Sequence, residues 1–251
     1  MNKASIIGIL LGFTAIIGGS IVEGGRIGSI VQGSAALIVF GGTLGATFLS
    51  FSIRDISLAT RSLREVFFEN PMMPEGYSVI KETINLSARA RKSGILSLDK
   101  DIQNMGYDFF RRALRLVIDG IDPKLLRSTL EQEISTFEEE RGRAAKVFES
   151  AGGFAPTIGI IGAVLGLIHV MENLGDPAKL GTGIAVAFVA TVYGVGSANL
   201  LFLPIAKKII NNMKHEVLLR EIIIEGVLGV QAGRNPFYLR EYLNSFLSKR
   251  K

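Results

Sequence analysis

The sequence predicts an all-α polytopic membrane protein: four transmembrane helices, a helical cytoplasmic domain between the second and third, and a helical cytoplasmic tail. Composition and charge placement carry that prediction. Of 251 residues, 48% are hydrophobic and a further 29 are glycine, well above the apolar share of an ordinary soluble domain. Charge is also segregated: no Asp, Glu, Lys or Arg occurs from Ala4 to Val22, Ile27 to Ile53, Ser150 to Met171, or Leu180 to Ala206. The shortest of these windows holds 19 residues, and at ~1.5 Å rise per residue it reaches roughly 28 Å, about the hydrocarbon thickness of a bilayer.

Lys3 ahead of the first window imitates the start of a signal peptide. The run is long for that role, however, and it ends in Ile21-Val22-Glu23-Gly24-Gly25 without a small-x-small cleavage site. The first span is therefore expected to remain. Basic residues resist translocation, and 26 of the 28 Lys and Arg lie in the N-terminus, the 52–150 segment and the tail from Lys207. The short connections hold only Arg26 and Lys179. Both termini and the large segment are accordingly expected in the cytoplasm. The implied division is 1–53 for spans one and two, 54–149 for the cytoplasmic domain, 150–206 for spans three and four, and 207–251 for the tail.

Within the large segment, Ile56, Leu58, Leu63, Val66 and Phe67 recur at helical spacing and predict an amphipathic helix continuing out of the second span, stopped by Asn70-Pro71 and Pro74. A second helix is predicted from Tyr77 to Lys92, broken by Ser93-Gly94, and a third from about Leu98 to Ile118. Asp122 is a good N-cap with Pro123 at the first helical position. The helix it opens should run past Glu138-Glu139-Glu140 and merge with the third span. These helices read as too poor in apolar surface for a large core of their own.

The segment carries 16 basic and 16 acidic residues, which argues against nucleic acid as a partner. The tail has 9 basic against 4 acidic residues, suited to lying near anionic headgroups. Cysteine is absent, and His169 and His215 are two isolated histidines, so neither a metal site nor a cofactor is expected. No phosphate loop or catalytic triad is readable, and the chain does not read as an enzyme.

Small residues recur at four-residue spacing in every span: Gly8 and Gly12, Gly41 and Gly45, Gly162 and Gly166, then Ala190, Gly194 and Ala198. Such stripes allow close helix packing, within the chain or against another subunit. Pro156 and Pro204 each remove a backbone hydrogen bond and permit a kink. Thr157 and Thr191 bring hydroxyls nearby, and Pro156 and Ala163, seven residues apart, share a helix face. No acid or base lies in mid-membrane, where ion pumps usually place one. If this chain conducts protons, a partner must supply the carrier.

The order of elements and several strings resemble the MotA/PomA family, the ring-forming subunit of the bacterial flagellar stator. They are Ala90-Arg91-Lys92-Ser93-Gly94-Ile95-Leu96-Ser97-Leu98-Asp99, Val117-Ile118-Asp119-Gly120-Ile121-Asp122, the 155–168 stretch opening Ala155-Pro156-Thr157, Thr191-Val192-Tyr193-Gly194, Phe202-Leu203-Pro204-Ile205-Ala206, and the 225–236 stretch. The resemblance implies a pentameric ring in the bacterial inner membrane, around a peptidoglycan-anchored dimer of a MotB-like B subunit whose aspartate carries the ion. It also implies that the ring turns the rotor through FliG. The family's rotor-contacting charges map onto Arg91, Lys92 and Asp99, with Lys100 where relatives are often acidic. Without the family match, that region reads as a solvated turn. Its functional prolines map onto Pro156 and Pro204. Sodium-using relatives have threonine at the position of Ala163, so protons are expected, with sodium as the alternative because Thr157, Thr191 and backbone carbonyls offer oxygens. An ExbB/TolQ-like energiser is the other reading, opposed by the hairpin from Ala4 to Phe51. A defence-system relative would be expected to carry a longer tail.

Overall fold

A computed structural model describes residues 3–68, 73–103, 105–175 and 177–248. Among these, every regular element is helical. The helices are α1 (Lys3–Val22), α2 (Ile27–Ile30), α3 (Gly33–Ser50), α4 (Ile53–Phe67), α5 (Gly76–Ser93), α6 (Asp99–Ile102), α7 (Asp108–Ile118), α8 (Pro123–Glu172), α9 (Pro177–Ser197), α10 (Leu203–Gln231) and α11 (Pro236–Ser248). The chain divides into two compact units, Met1–Glu69 with Glu140–Ile210, and Asn70–Glu139 with Asn211–Lys251.

The first unit holds the membrane spans. Among the described residues, four helices are long and apolar enough to cross a bilayer, as the charge-free windows predict. No residue of α1 is buried, and Leu11, Leu37, Leu44, Val164 and Phe188 are likewise exposed. Apolar surface of this extent has hydrocarbon or another apolar chain as its natural partner. The internal seam is made by small residues. A Cβ at Gly159 would meet the Ala190 carbonyl oxygen at 2.9 Å, one at Gly194 the Ala155 oxygen at 2.5 Å, and one at Gly166 the Ala187 nitrogen at 2.8 Å. Backbones are in direct contact there, which only glycine allows. At Gly8 and Gly45 a Cβ would meet nothing, so those stripe members play no packing role within the chain.

Two breaks in this unit escape the sequence reading. Val31 and Gln32 are extended, so the second charge-free window is a short turn followed by the span proper. The Tyr193 hydroxyl donates to the Ile30 carbonyl at 2.7 Å and accepts from the Gln32 amide at 3.3 Å, satisfying backbone that apolar surroundings would otherwise leave unpaired. The helix predicted to continue out of the second span instead restarts: Phe51 and Ser52 are extended, and the Ser52 hydroxyl accepts from the Asp55 amide, an N-cap that ends one helix and opens the next. Of the stop signals expected after it, Asn70-Pro71 lies outside the described residues.

In the second unit the expectation of a small core is corrected. Val79, Leu98, Phe109, Phe110, Leu114 and Leu126 form one buried cluster together with Leu219, Ile222, Ile223, Val227, Leu239 and Leu243. The C-terminal region thus supplies the apolar surface that residues 70–139 lack, and it is a structural half of this core. Gly229 lets Leu239 pack against its backbone, where a Cβ would lie 2.5 Å from Leu239 Cδ1. The third predicted helix is also corrected. It is interrupted between Ile102 and Asp108, where Gly106 weakens helical propensity. Asp122 caps α8 as expected, its carboxylate accepting from the Lys124 and Leu125 amides at 2.9 and 3.3 Å. From there α8 runs unbroken for 50 residues, as the merger with the third span predicts.

Candidate functional site

Pro156 sits inside α8 and is half-buried, as is Ala163 two turns later on the same face. Between them Gly159 and Gly162 form the seam with Ala190 and Gly194 of α9. That register places Thr191 beside the residues touching Gly159. The Thr157 hydroxyl is exposed and donates to the Phe154 carbonyl at 2.8 Å, and the half-buried Thr191 hydroxyl donates to Ala187 at 3.3 Å. Both donor protons are used by their own helices, leaving oxygen lone pairs as the only free function. Pro204 is exposed at the start of α10, directly after a π-type widening over Ala198–Phe202. A wide turn absorbs the hydrogen bond that proline cannot make. Gly152, one turn before Pro156, packs on Leu203, next to Pro204. The structure thus brings Pro156, Ala163 and Thr191 to one seam and places Pro204 one residue from its far end.

Chemically this seam is uncharged. Neither 150–171 nor 180–206 contains Asp, Glu, Lys or Arg, and the single histidine there, His169, is exposed beyond the last seam glycine, Gly166; among the described residues no cluster of three metal-ligating side chains exists. Nothing here could hold and release a proton. Hydroxyls and kinked backbone can only line a path whose titrating group comes from elsewhere.

Arg91 and Lys92 occupy the last turn of α5, where their charge complements the helix C-terminus. Gly94 follows at φ +81°, a conformation that favours glycine. A 3₁₀ turn over Ile95–Leu98 then leads into α6, with Asp99 in its first turn. The buried Leu98 and Ile102 pin the turn to the core, and Ser97 Oγ donates to the Gly94 carbonyl at 2.6 Å. Arg91, Lys92 and Asp99 are all exposed, and among the described residues none of the three forms an ion pair. The turn therefore presents two cations and an anion to solvent.

Sequence reasoning missed the pair that frames this turn, Arg89 with Asp101. The signal was available: opposite charges just outside both ends of a Gly-containing break. Nearby Glu82 is held above the usual carboxylate range, first by desolvation and then by the Asp101 charge. A second missed cluster surrounds Arg220. Its guanidinium lies 4.0 Å from the Phe137 ring centre and 5.0 Å from that of Phe109, and it donates to Glu216 at 2.6 Å.

Comparison with known proteins identifies the family. Residues 6–94 match the motility protein A N-terminal family and residues 101–222 the MotA/TolQ/ExbB proton channel family. Motility protein A of Bacillus subtilis is 33% identical over 98% of this chain and 91% of its own length. Chemotaxis protein PomA of Vibrio alginolyticus is 32% identical, covering 100% and 97%. An uncharacterized Bacillus subtilis protein, YtxD, is 36% identical over 97% and 88%. Among solved structures, C. jejuni MotAB superposes with a TM-score of 0.94 at 29% identity over 100% of this chain and 98% of that one. The flagellar MotAB stator complex of Bacillus subtilis gives 0.90 at 32% over 97% and 96%. With relatives above 30% identity along its whole length, the chain belongs to the motility protein A (MotA/PomA) family of flagellar motor stator subunits.

Proposed function

We propose that this chain is the proton-driven A subunit of a stator, in which a B subunit supplies the titrating aspartate and a pentamer of this chain turns around it. The observation that carries the reading is the acid-free seam of Gly159, Ala190 and Gly194, flanked by Pro156, Ala163, Thr191 and Pro204. Such a lining can guide an ion and change shape, but it cannot carry the charge. Protons are favoured over sodium because Ala163 offers no side-chain oxygen, while the Thr157 and Thr191 hydroxyls, which donate to their own helices and keep lone pairs free, are what leaves sodium as the alternative. The Lys and Arg distribution supports an inner-membrane topology with the large loop and both termini on the cytoplasmic side. There Arg91, Lys92 and Asp99 face outward to meet the rotor protein FliG through complementary charge.

The decisive experiment is complementation. A non-motile strain lacking its own A subunit should swim when given this gene with a matching B subunit, and its speed should follow proton-motive force at any sodium concentration. A stably inserted complex that produces no torque overturns the stator assignment. Steep sodium dependence at fixed proton-motive force overturns only the ion assignment.

A further inference from the structure

We propose that the outward face of α4 binds the anionic headgroups of membrane lipids. Helix α4 divides its charges between two faces. Its inward face, Ala59, Ser62 and Val66, is buried, in clusters with Ala144, Ala145, Val147 and Ile205. Both of its carboxylates are taken by α8: Glu65 pairs with Arg141 at 2.8 Å, and Asp55 with Arg143 at 3.7 Å. Its three arginines are left outward. Arg54 and Arg61 are seven residues apart and share a face, with Arg64 one turn further along, so the row extends for roughly 15 Å at ~1.5 Å per residue. All three are exposed, and among the described residues none of their side chains forms an ion pair or hydrogen bond.

Position and surroundings select the partner. The span α3 ends at Ser50, and the extended Phe51 and Ser52 start α4 where the chain leaves the hydrocarbon. Exposed apolar side chains flank the arginine row, with Leu49 90% exposed, Ile53 81% and Phe68 53%. A helix beginning at a span's end, with apolar residues beside cationic ones on its free side, suits the boundary between acyl chains and headgroups. Guanidinium groups match phosphate oxygens in paired geometry and keep their charge at every physiological pH. The match is to a lipid phosphate diester with a net negative headgroup, and an acidic protein surface would have no use for the flanking Leu49 and Ile53.

The test uses the full chain with its B subunit, reconstituted in phosphatidylcholine bilayers that carry a trace of spin-labelled phosphatidylglycerol or spin-labelled phosphatidylcholine. The wild type should hold the anionic lipid in preference, less so as salt rises. The triple variant Arg54→Gln/Arg61→Gln/Arg64→Gln should lose most of that preference, by roughly fivefold per arginine at low salt. The triple lysine variant should keep it, which separates loss of charge from misfolding. No preference in the wild type, or full preference in the glutamine variant, overturns the proposal. So does a glutamine variant whose subunits dissociate while its lipid preference stays unchanged, because the face would then belong to a neighbouring protein.

Discussion

Arg89 Nη1 donates to both carboxylate oxygens of Asp101, at 2.5 and 2.6 Å, so the turn bearing Arg91, Lys92 and Asp99 is tied across its base. The pair is half-exposed, and pairs of that kind are worth about 1 kcal/mol or less. Its consequence is positional, because it limits how far Asp99 can move from the end of α5. Arg89→Ala should leave membrane insertion intact and thermal stability nearly unchanged, yet lower torque at high load in a tethered-cell assay. The exchange Arg89→Asp with Asp101→Arg should recover part of the loss. A double variant no better than either single change would show that the pair does not position the turn.

Gly194 and Gly45 belong to the same kind of small-residue stripe but differ in what surrounds them. A Cβ at Gly194 would come within 2.5 Å of the Ala155 carbonyl oxygen, whereas at Gly45 it would meet nothing within 4 Å. Backbone atoms cannot rotate aside, so Gly194→Ala must push α8 and α9 apart, an overpacking cost of about 1–3 kcal/mol. Gly45→Ala should be close to neutral within the chain. Unfolding of the detergent-solubilised protein would show the difference, and equal effects at the two positions would refute the assigned seam.

Tyr193 is bound to the break in the second span through its hydroxyl alone, since its ring contact with Phe40, 5.8 Å between centroids, does not need the oxygen. Tyr193→Phe keeps the stack and strands the Ile30 carbonyl and Gln32 amide. The expected cost is about 1–3 kcal/mol for groups left unsatisfied in apolar surroundings. Because the chain contains no cysteine, Gln32→Cys gives a clean reporter. It should react faster with a membrane-impermeant maleimide in the Tyr193→Phe background, and equal rates would count against the hydroxyl's role.

These features differ in how far the sequence discloses them. The four spans are legible because charge exclusion from hydrocarbon acts on each window independently. Asp122-Pro123 and Gly94 are legible because caps and turns are local chemistry. By contrast, the Val31–Gln32 break has no glycine or proline of its own, and its hydrogen bonds come from Tyr193, some 160 residues later. The core of the second unit is hidden for the same reason. Val79 and Phe109 look insufficient until Ile222, Ile223 and Leu239 are brought to them from beyond the fourth span. At the candidate site, Pro156, Thr191 and Pro204 are visible as residue types, while the register that seats Gly159 against Ala190 and Gly194 is a property of two helices together.

The Arg220 cluster makes the second unit sensitive to alkali in a defined window. Tyr107 donates to Glu216 at 3.3 Å, and its phenol is pushed up to about 12, first by burial and then by the Glu216 charge, with Arg220 acting in the opposite direction. An unfolded tyrosine releases its proton near pH 10, so between about pH 10 and 12 the folded state holds a proton that the unfolded state has lost. Stability associated with the neutral phenol is therefore fully present below pH 10 and falls as pH rises toward 12. Tyr107→Phe should cost about 1 kcal/mol at pH 7 through the lost hydrogen bond, and the difference from wild type should shrink above pH 10. Arg220→Ala removes the partner of Glu216 and the cation between Phe109 and Phe137, and should destabilise more than Tyr107→Phe at every pH. Arg220→Lys should restore little, because an ammonium lacks the planar face that rests against Phe137. Thermal midpoints across pH 7–12 for the three variants would test the set, and a wild-type-like slope in Tyr107→Phe would remove Tyr107 as its origin.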